Sequence, residues 1–181
     1  MVIEKRSGQP QALAGEEIVL TPLEEKHLES TRAWMNDPQL MGFLGRTKQV
    51  AEWEHRQWFE RVVASEDCVF FAIETCAGEH IGNIWLWNIE PQHRKAELRV
   101  VIGQLSSQNK GLGSKAIGLL CQYAAQSLGL HKVYAYVLGT NPRAKLSFEK
   151  AGFKEEGLLV RDRWNQGQYV DVHLMGLLLD S

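Results

Sequence analysis

Residues 97–128, ELRVVIGQLSSQNKGLGSKAIGLLCQYAAQSL, decide the fold. The first part alternates. Leu98, Val100 and Ile102 fall on one side and Glu97, Arg99 and Val101 on the other, which is the period of a β-strand. The last part changes period. Leu112, Ala116, Leu119, Leu120, Tyr123 and Ala124 recur at helical spacing and form one apolar stripe. A polar loop joins them and ends in Gln108-Asn109-Lys110-Gly111-Leu112-Gly113. Glycine lets a backbone pass close to a ligand. The first N–H groups of a helix have no partner within it, and its positive end attracts an anion. Ser114 adds a hydroxyl and Lys115 a charge. The stretch predicts a phosphate or pyrophosphate site over residues 108–114.

Three glycine patterns compete for this loop. Gly111, Gly113 and Ala116 meet the relaxed dinucleotide fingerprint, but that motif turns directly after its strand and needs an acid ending the next one. Here several residues separate Gly103 from Gly111, and the next strand runs from Lys132 to Leu138 into Gly139-Thr140. A P-loop needs a lysine directly after its last glycine, whereas Ser114 follows Gly113. The third pattern, Q-x-x-G-x-G, is met by Gln108, Gly111 and Gly113. One strand downstream, residues 141–153 read NPRAKLSFEKAGF.

Together these two motifs resemble the GNAT superfamily of acetyl-CoA-dependent N-acetyltransferases. The second matches that family's N-P-x-A-x-x-x-Y-E-x-x-G-F helix except at the tyrosine, which is Phe148 here. The tail from Gly157 through Tyr169 to Val172 resembles the branch with ribosomal-protein, spermidine and some amino-sugar N-acetyltransferases. The likeness covers most of the chain and is strongest from Ala96 to Leu178. It implies acetyl-CoA as cosubstrate. It implies one α/β domain with a mixed, largely antiparallel central sheet flanked by helices, splayed between the fourth and fifth strands. By the same resemblance Val100, Val101, Ile102 and Gly103 would line the thioester and pantetheine. Gln108, Asn109, Lys110, Gly111, Leu112, Gly113 and Ser114 would hold the pyrophosphate. Asn141 would contact the pantetheine while capping its helix, and Phe148 would pack over the thioester. Lys150 would reach the adenosine 3′-phosphate, although a solvated helix lysine needs no ligand.

Composition bounds the rest. A chain of 181 residues with a 44% hydrophobic share fits one domain with a sizeable core. A net charge of −2 gives no broad pull towards nucleic acid or membrane, so neither is expected as a partner. Cys68, Cys76 and Cys121 are odd in number and form no CxxC pair, which favours a reducing compartment. With no apolar leader and no membrane-length run, a cytoplasmic protein is expected.

Residues 1–15 carry Gly8, Pro10 and Gly15 and read as a loose lead-in to a domain spanning 16–181. Glu17 to Leu23 reads as a strand and Glu24 to Trp34 as a helix, closed by Asn36-Asp37-Pro38. Gln39 to Thr47 reads as a mobile loop, and Lys48 to Val63 as a second helix. Cys68 to Thr75 and His80 to Asn88 form a hairpin around Ala77-Gly78-Glu79. Asn83, Trp85 and Trp87 share one face of its second strand. Asn141-Pro142 opens the last helix and Gly152 closes it. Phe153 to Trp164 and Tyr169 to Leu178 form a final strand pair. Exposed edges there are compatible with a homodimer.

Acetyl transfer to an amine needs an amine freed of its proton, a polarised thioester and a departing thiolate. Glu97 is the candidate base, directly or through water; a structural ion pair with Arg99 is the bland alternative of equal weight. Phe148 cannot donate a proton, and neighbouring Ser147 points about 100° away on the helix. Asp37, Glu90 and Asp171 could hold a cationic amine, but each alone reads better as a solvated carboxylate. The histidines have no metal-ligand spacing, so no metal is expected. The reading is direct attack by a primary amine, without an acyl-enzyme. Trp85 and Trp87 favour a small amine or amino sugar; a polyamine or a protein N-terminus also fits. The competing reading, kept open by Phe148, is a CoA-binding module or sensor with lost or weak catalysis.

Overall fold

The computed structural model describes residues 10–46 and 48–179. Eight strands share one sheet: Leu13–Ala14 (β1), Ile18–Pro22 (β2), Val69–Thr75 (β3), His80–Glu90 (β4), Lys95–Ile102 (β5), Lys132–Leu138 (β6), Lys154–Asn165 (β7) and Gln168–Leu178 (β8). Their order is β1-β2-β3-β4-β5-β6-β8-β7. Every neighbouring pair is antiparallel except β5 and β6. That parallel register holds only at Lys95–Lys132, Ala96–Val133 and Glu97–Tyr134. Beyond it each strand follows its other neighbour, β5 pairing with β4 as far as Ile102 and β6 with β8 as far as Leu138. The sheet therefore opens between the strands expected to splay, counted fourth and fifth without β1.

Helix Leu112–Gln126 (α4) and helix Pro142–Lys150 (α5) cover one face. The buried side of α4, with Ala116, Ile117, Leu120 and Ala124, packs in one core with Phe71, Ile84, Leu98 and Val133. The other face carries Leu28–Met35 (α1) and Glu52–Ala64 (α3), where Val62 and Trp58 meet Phe70 and Ala72. Adjacent residues of β3 thus serve opposite cores, so this antiparallel strand reads as a continuous apolar run. Helix α1 is tied down by polar pairs. Buried His27 donates its Nε2–H to Glu74 at 2.9 Å, while its Nδ1 accepts from the Glu24 backbone. Asn83 donates to Thr31 at 3.0 Å, and Ser30 meets His80 at 2.7 Å.

Three segments differ from the sequence reading. Gln39 to Thr47 is not one loop: Pro38–Phe43 is a helix (α2), with Asp37 accepting from Leu40 N–H at 2.9 Å as its cap. Asp37-Pro38 both ends one helix and starts the next. Thr47 lies outside the described residues. Helix α3 begins at Glu52 rather than Lys48, because Asn36 bonds both Val50 N–H and C=O, at 2.7 and 3.0 Å, and keeps that backbone out of the helix. Of the lead-in, residues 1–9 lie outside the described ones, while Leu13–Ala14 joins the sheet beside β2.

Candidate active site

The gap between β5 and β6 widens into a cleft of about 360 Å³. Val100, Val101 and Ile102 line one side, Gln108, Asn109, Gly111, Leu112, Gly113 and Ser114 the end, and Asn141, Arg143, Ala144, Ser147 and Lys150 of the α5 segment the other. Gly111 caps α4 with φ 78°, and a Cβ there would meet nothing within 4 Å. The left-handed backbone, not crowding, calls for this glycine. No side chain caps α4 and no acid sits in its first turn. Its leading N–H groups are left for an anion. At Gly113 a Cβ would stand 3.8 Å from Ile102 and from Ser147, both cleft-lining.

Gln108 pins the loop to the strand by donating to the Ile102 carbonyl at 2.9 Å. Gly103 N–H instead donates to Ile81 on the β4 side. Backbone groups alternate along a strand, so Val100, which shares the parity of Ile102, turns its N–H toward the gap. Gly103, expected to line the cleft, does not: a Cβ there would lie 1.9 Å from the Trp34 ring, which seals the strand end. Lys110 and Phe148 also stand outside this cleft. Lys115 pairs with Glu17 and offers the loop no charge. Arg143 and Lys150 supply the positive wall instead.

A second cavity, about 340 Å³, meets the first at Phe43, Leu44, Val100, Asn141 and Ala144. Trp85, Glu97, Arg99, Tyr136, Phe148, Arg163 and Trp164 are among its walls. The turn between β7 and β8 holds its roof, buried Asn165 donating to the Gly42 carbonyl at 3.1 Å. Glu97 is 8% exposed and gripped by Arg99 in a fork, at 2.6 and 3.1 Å. Trp85 lies opposite Arg99 and Trp87 opposite Glu97 in the β4–β5 register, so the expected shared face is present. Trp85 stacks on Phe70 at 4.6 Å, and Arg99 lies 6.0 Å from the Trp87 ring centre. Phe148 is buried against Phe153, with ring centres 5.0 Å apart.

Tyr136 was missed. It stands two residues beyond Tyr134, the last residue registered with β5. The alternation of β6 places it on the Glu97 face of the open gap, a step the sequence allowed. Arg46 and Arg163 carried no such local signal. Asp37, Glu90 and Asp171 line neither cavity: Asp37 caps α2, Glu90 pairs with Lys95, and Asp171 accepts from Arg161 N–H. The cysteines line neither cavity, and burial pushes the Cys121 thiol up to about 12.

An acetyltransferase (GNAT) domain model matches residues 17–154. The spermidine N(1)-acetyltransferase of Vibrio cholerae is 36% identical over 108 residues, 60% of this chain and 62% of that protein. The spermidine N(1)-acetyltransferase of Escherichia coli K12 is 30% identical over 152 residues, 84% of this chain and 81% of that protein. A crystal structure of the Vibrio cholerae enzyme with CoA and spermine superimposes with a TM-score of 0.85 at 28% identity, covering 90% of this chain and 95% of that one.

Proposed function

This chain belongs to the GNAT family of acetyltransferases, with acetyl-CoA as cosubstrate, and we propose that it acetylates the primary amine of a small molecule held in the second cavity. The observation that carries this is the meeting of the two cavities at Val100, Asn141 and Ala144. A pantetheine arm entering along β5 ends where an amine can arrive from the other side. The amine nitrogen attacks the carbonyl carbon, the C–S bond breaks, and the CoA sulfur leaves as thiolate. The Val100 N–H, turned toward the gap, would hold the oxygen on which charge develops. Gln108 to Ser114 would take the pyrophosphate, and Arg143 and Lys150 the 3′-phosphate.

Glu97 is the proposed base. Among the described residues it is the one carboxylate lining the second cavity. Three steps along the strand separate it from Val100, about 10 Å, so the proton moves through water. The Arg99 fork fixes the orientation of its carboxylate. Relatives named for spermidine make a polyamine the second reading of the acceptor. Residues 16–181 are proposed as the acetyltransferase domain. Cytoplasmic placement is supported by three free cysteines, and among the described residues no helix is long and apolar enough to cross a membrane. Exposed Val160, Trp164 and Tyr169 on the edge hairpin support a homodimer, which light scattering above the 20.5 kDa chain mass would check.

The test is release of CoA thiol from acetyl-CoA in the presence of primary amines. Amine-dependent release is expected. Tight acetyl-CoA binding without release under any amine would leave a CoA-binding module.

A further inference from the structure

The charges around the acceptor cavity do not suit a polycation. A third cavity, about 250 Å³, continues the second, and Met35, Arg46, Trp85 and Arg99 line both. Across the two, the charged lining residues are Arg46, Arg99, Arg163 and Glu97. Glu97 is occupied by Arg99. Next to the lining Arg163 in sequence, Asp162 lies 3.2 Å from it. Both of these carboxylates thus already hold an arginine, and among the described residues none pairs with Arg46. A polyamine would enter with ammonium groups and, among the described residues, find no free carboxylate on these walls. The far chamber is instead walled by flat rings, Trp58, Trp85, Trp87 and Phe70. Buried among them is His55, 5% exposed and stacked on Trp58 at 4.9 Å, whose Nε2 has no partner. Burial, then Arg32 and Arg46, hold this ring below the usual histidine range, so it stays neutral and can donate to an anion.

We infer that the acceptor is an amine that also carries an anionic group, a carboxylate or phosphate, on a ring or apolar body. The anion meets Arg46 and His55, the body stacks on Trp85 and Trp87, and the amine is left beside Glu97 at the junction with the first cleft. This rests on the N-acetyltransferase reading above and names its substrate class.

The test uses matched amines. Thiol release from acetyl-CoA is measured with tryptophan against tryptamine, glucosamine 6-phosphate against glucosamine, and with spermidine. The anionic member of at least one pair should show a kcat/KM about tenfold above its neutral partner and above spermidine, as one well-placed charge contact gives. Which pair leads separates carboxylate from phosphate. Arg46→Gln should lower that anionic-to-neutral ratio about fivefold or more. Spermidine as the best acceptor, ratios near one in both pairs, or a ratio unmoved by Arg46→Gln would overturn the inference while leaving the transferase intact. No thiol release with any amine, despite bound acetyl-CoA, would take down the transferase reading itself.

Discussion

Glu97 carries two roles that one substitution can separate. As base it sets an acidic limb in the pH–rate profile; as the partner of Arg99 it holds a guanidinium in place. Glu97→Gln keeps the shape and removes the charge. We expect kcat to fall by roughly 10²-fold or more and the acidic limb to disappear, with acetyl-CoA affinity intact. A lowered Tm with an unmoved pH profile would leave Glu97 as the holder of Arg99 alone. Phe148 poses the complementary question. The family motif made the missing hydroxyl legible in the sequence, but not that the ring would face the acceptor cavity beside Tyr136. That placement depends on β6 diverging from β5, which no local pattern states. Phe148→Tyr puts a phenol at the cavity wall. It should raise kcat severalfold with little change in acetyl-CoA KM. A fall in kcat for Phe148→Tyr would mean the site needs the apolar ring edge rather than a proton donor.

At the scale of elements, the two loop glycines do different work, and substitution reads them apart. Gly111 sits at φ 78°, so Gly111→Ala strains the backbone, costing about 1 kcal/mol or more whether or not a ligand binds. Gly113 has ordinary backbone, and an added methyl would meet Ile102 and Ser147 at 3.8 Å. Gly113→Ala should therefore keep Tm while weakening acetyl-CoA binding about tenfold by calorimetry. Unchanged affinity would remove residues 108–114 from the pyrophosphate site. The loop was legible because glycine spacing and helical period are local. Helix α2 was misread because Asp37-Pro38 closes α1 and opens α2 at once, and only the tertiary contact from Asn165 to Gly42 shows where it packs. The α1–β4 contact adds a pH prediction. Burial holds His80 below the usual 6.5, against the Asn83 bond that favours its charged form. A group that prefers to be neutral when folded lets the unfolded chain take up protons first. Its contribution is intact above pH 6.5 and is lost as pH falls below it, by up to about 1.4 kcal/mol per unit. His55 acts in the same window, and Glu74, held low despite burial by His27 and Lys26, only below the ordinary glutamate range. Tm should be flat from pH 8 to 7 and decline toward pH 5. His80→Gln should flatten that slope; an unchanged slope would place the titration elsewhere.

The whole molecule is two half-sheets joined along one short seam. β1 to β5, with α1, α3 and α4, form one half; β6, β8 and β7, with α5, form the other. The mixed, largely antiparallel character of the sheet was an expectation of the family resemblance, and the parallel β5–β6 pair fits the helix α4 between those strands. The length of the seam was not legible, because it is set by where β6 leaves β5 for β8. Only three registered pairs hold it. A ligand lying in the gap touches β5 and α4 on one side and α5 on the other, so it adds to the seam what the backbone lacks. Binding to the folded state alone stabilises by about 2.7 kcal/mol at 100 times Kd. At about 2–4 °C per kcal/mol for a chain of this size, acetyl-CoA should raise Tm by roughly 5–11 °C. Hydrogen exchange should slow on β5, α4 and α5 together, since the ligand bridges them. Acetyl-CoA that binds by calorimetry yet protects only the β5 and α4 side would show that the pantetheine does not lie in the seam, and the route by which the thioester reaches the acceptor cavity would have to be redrawn.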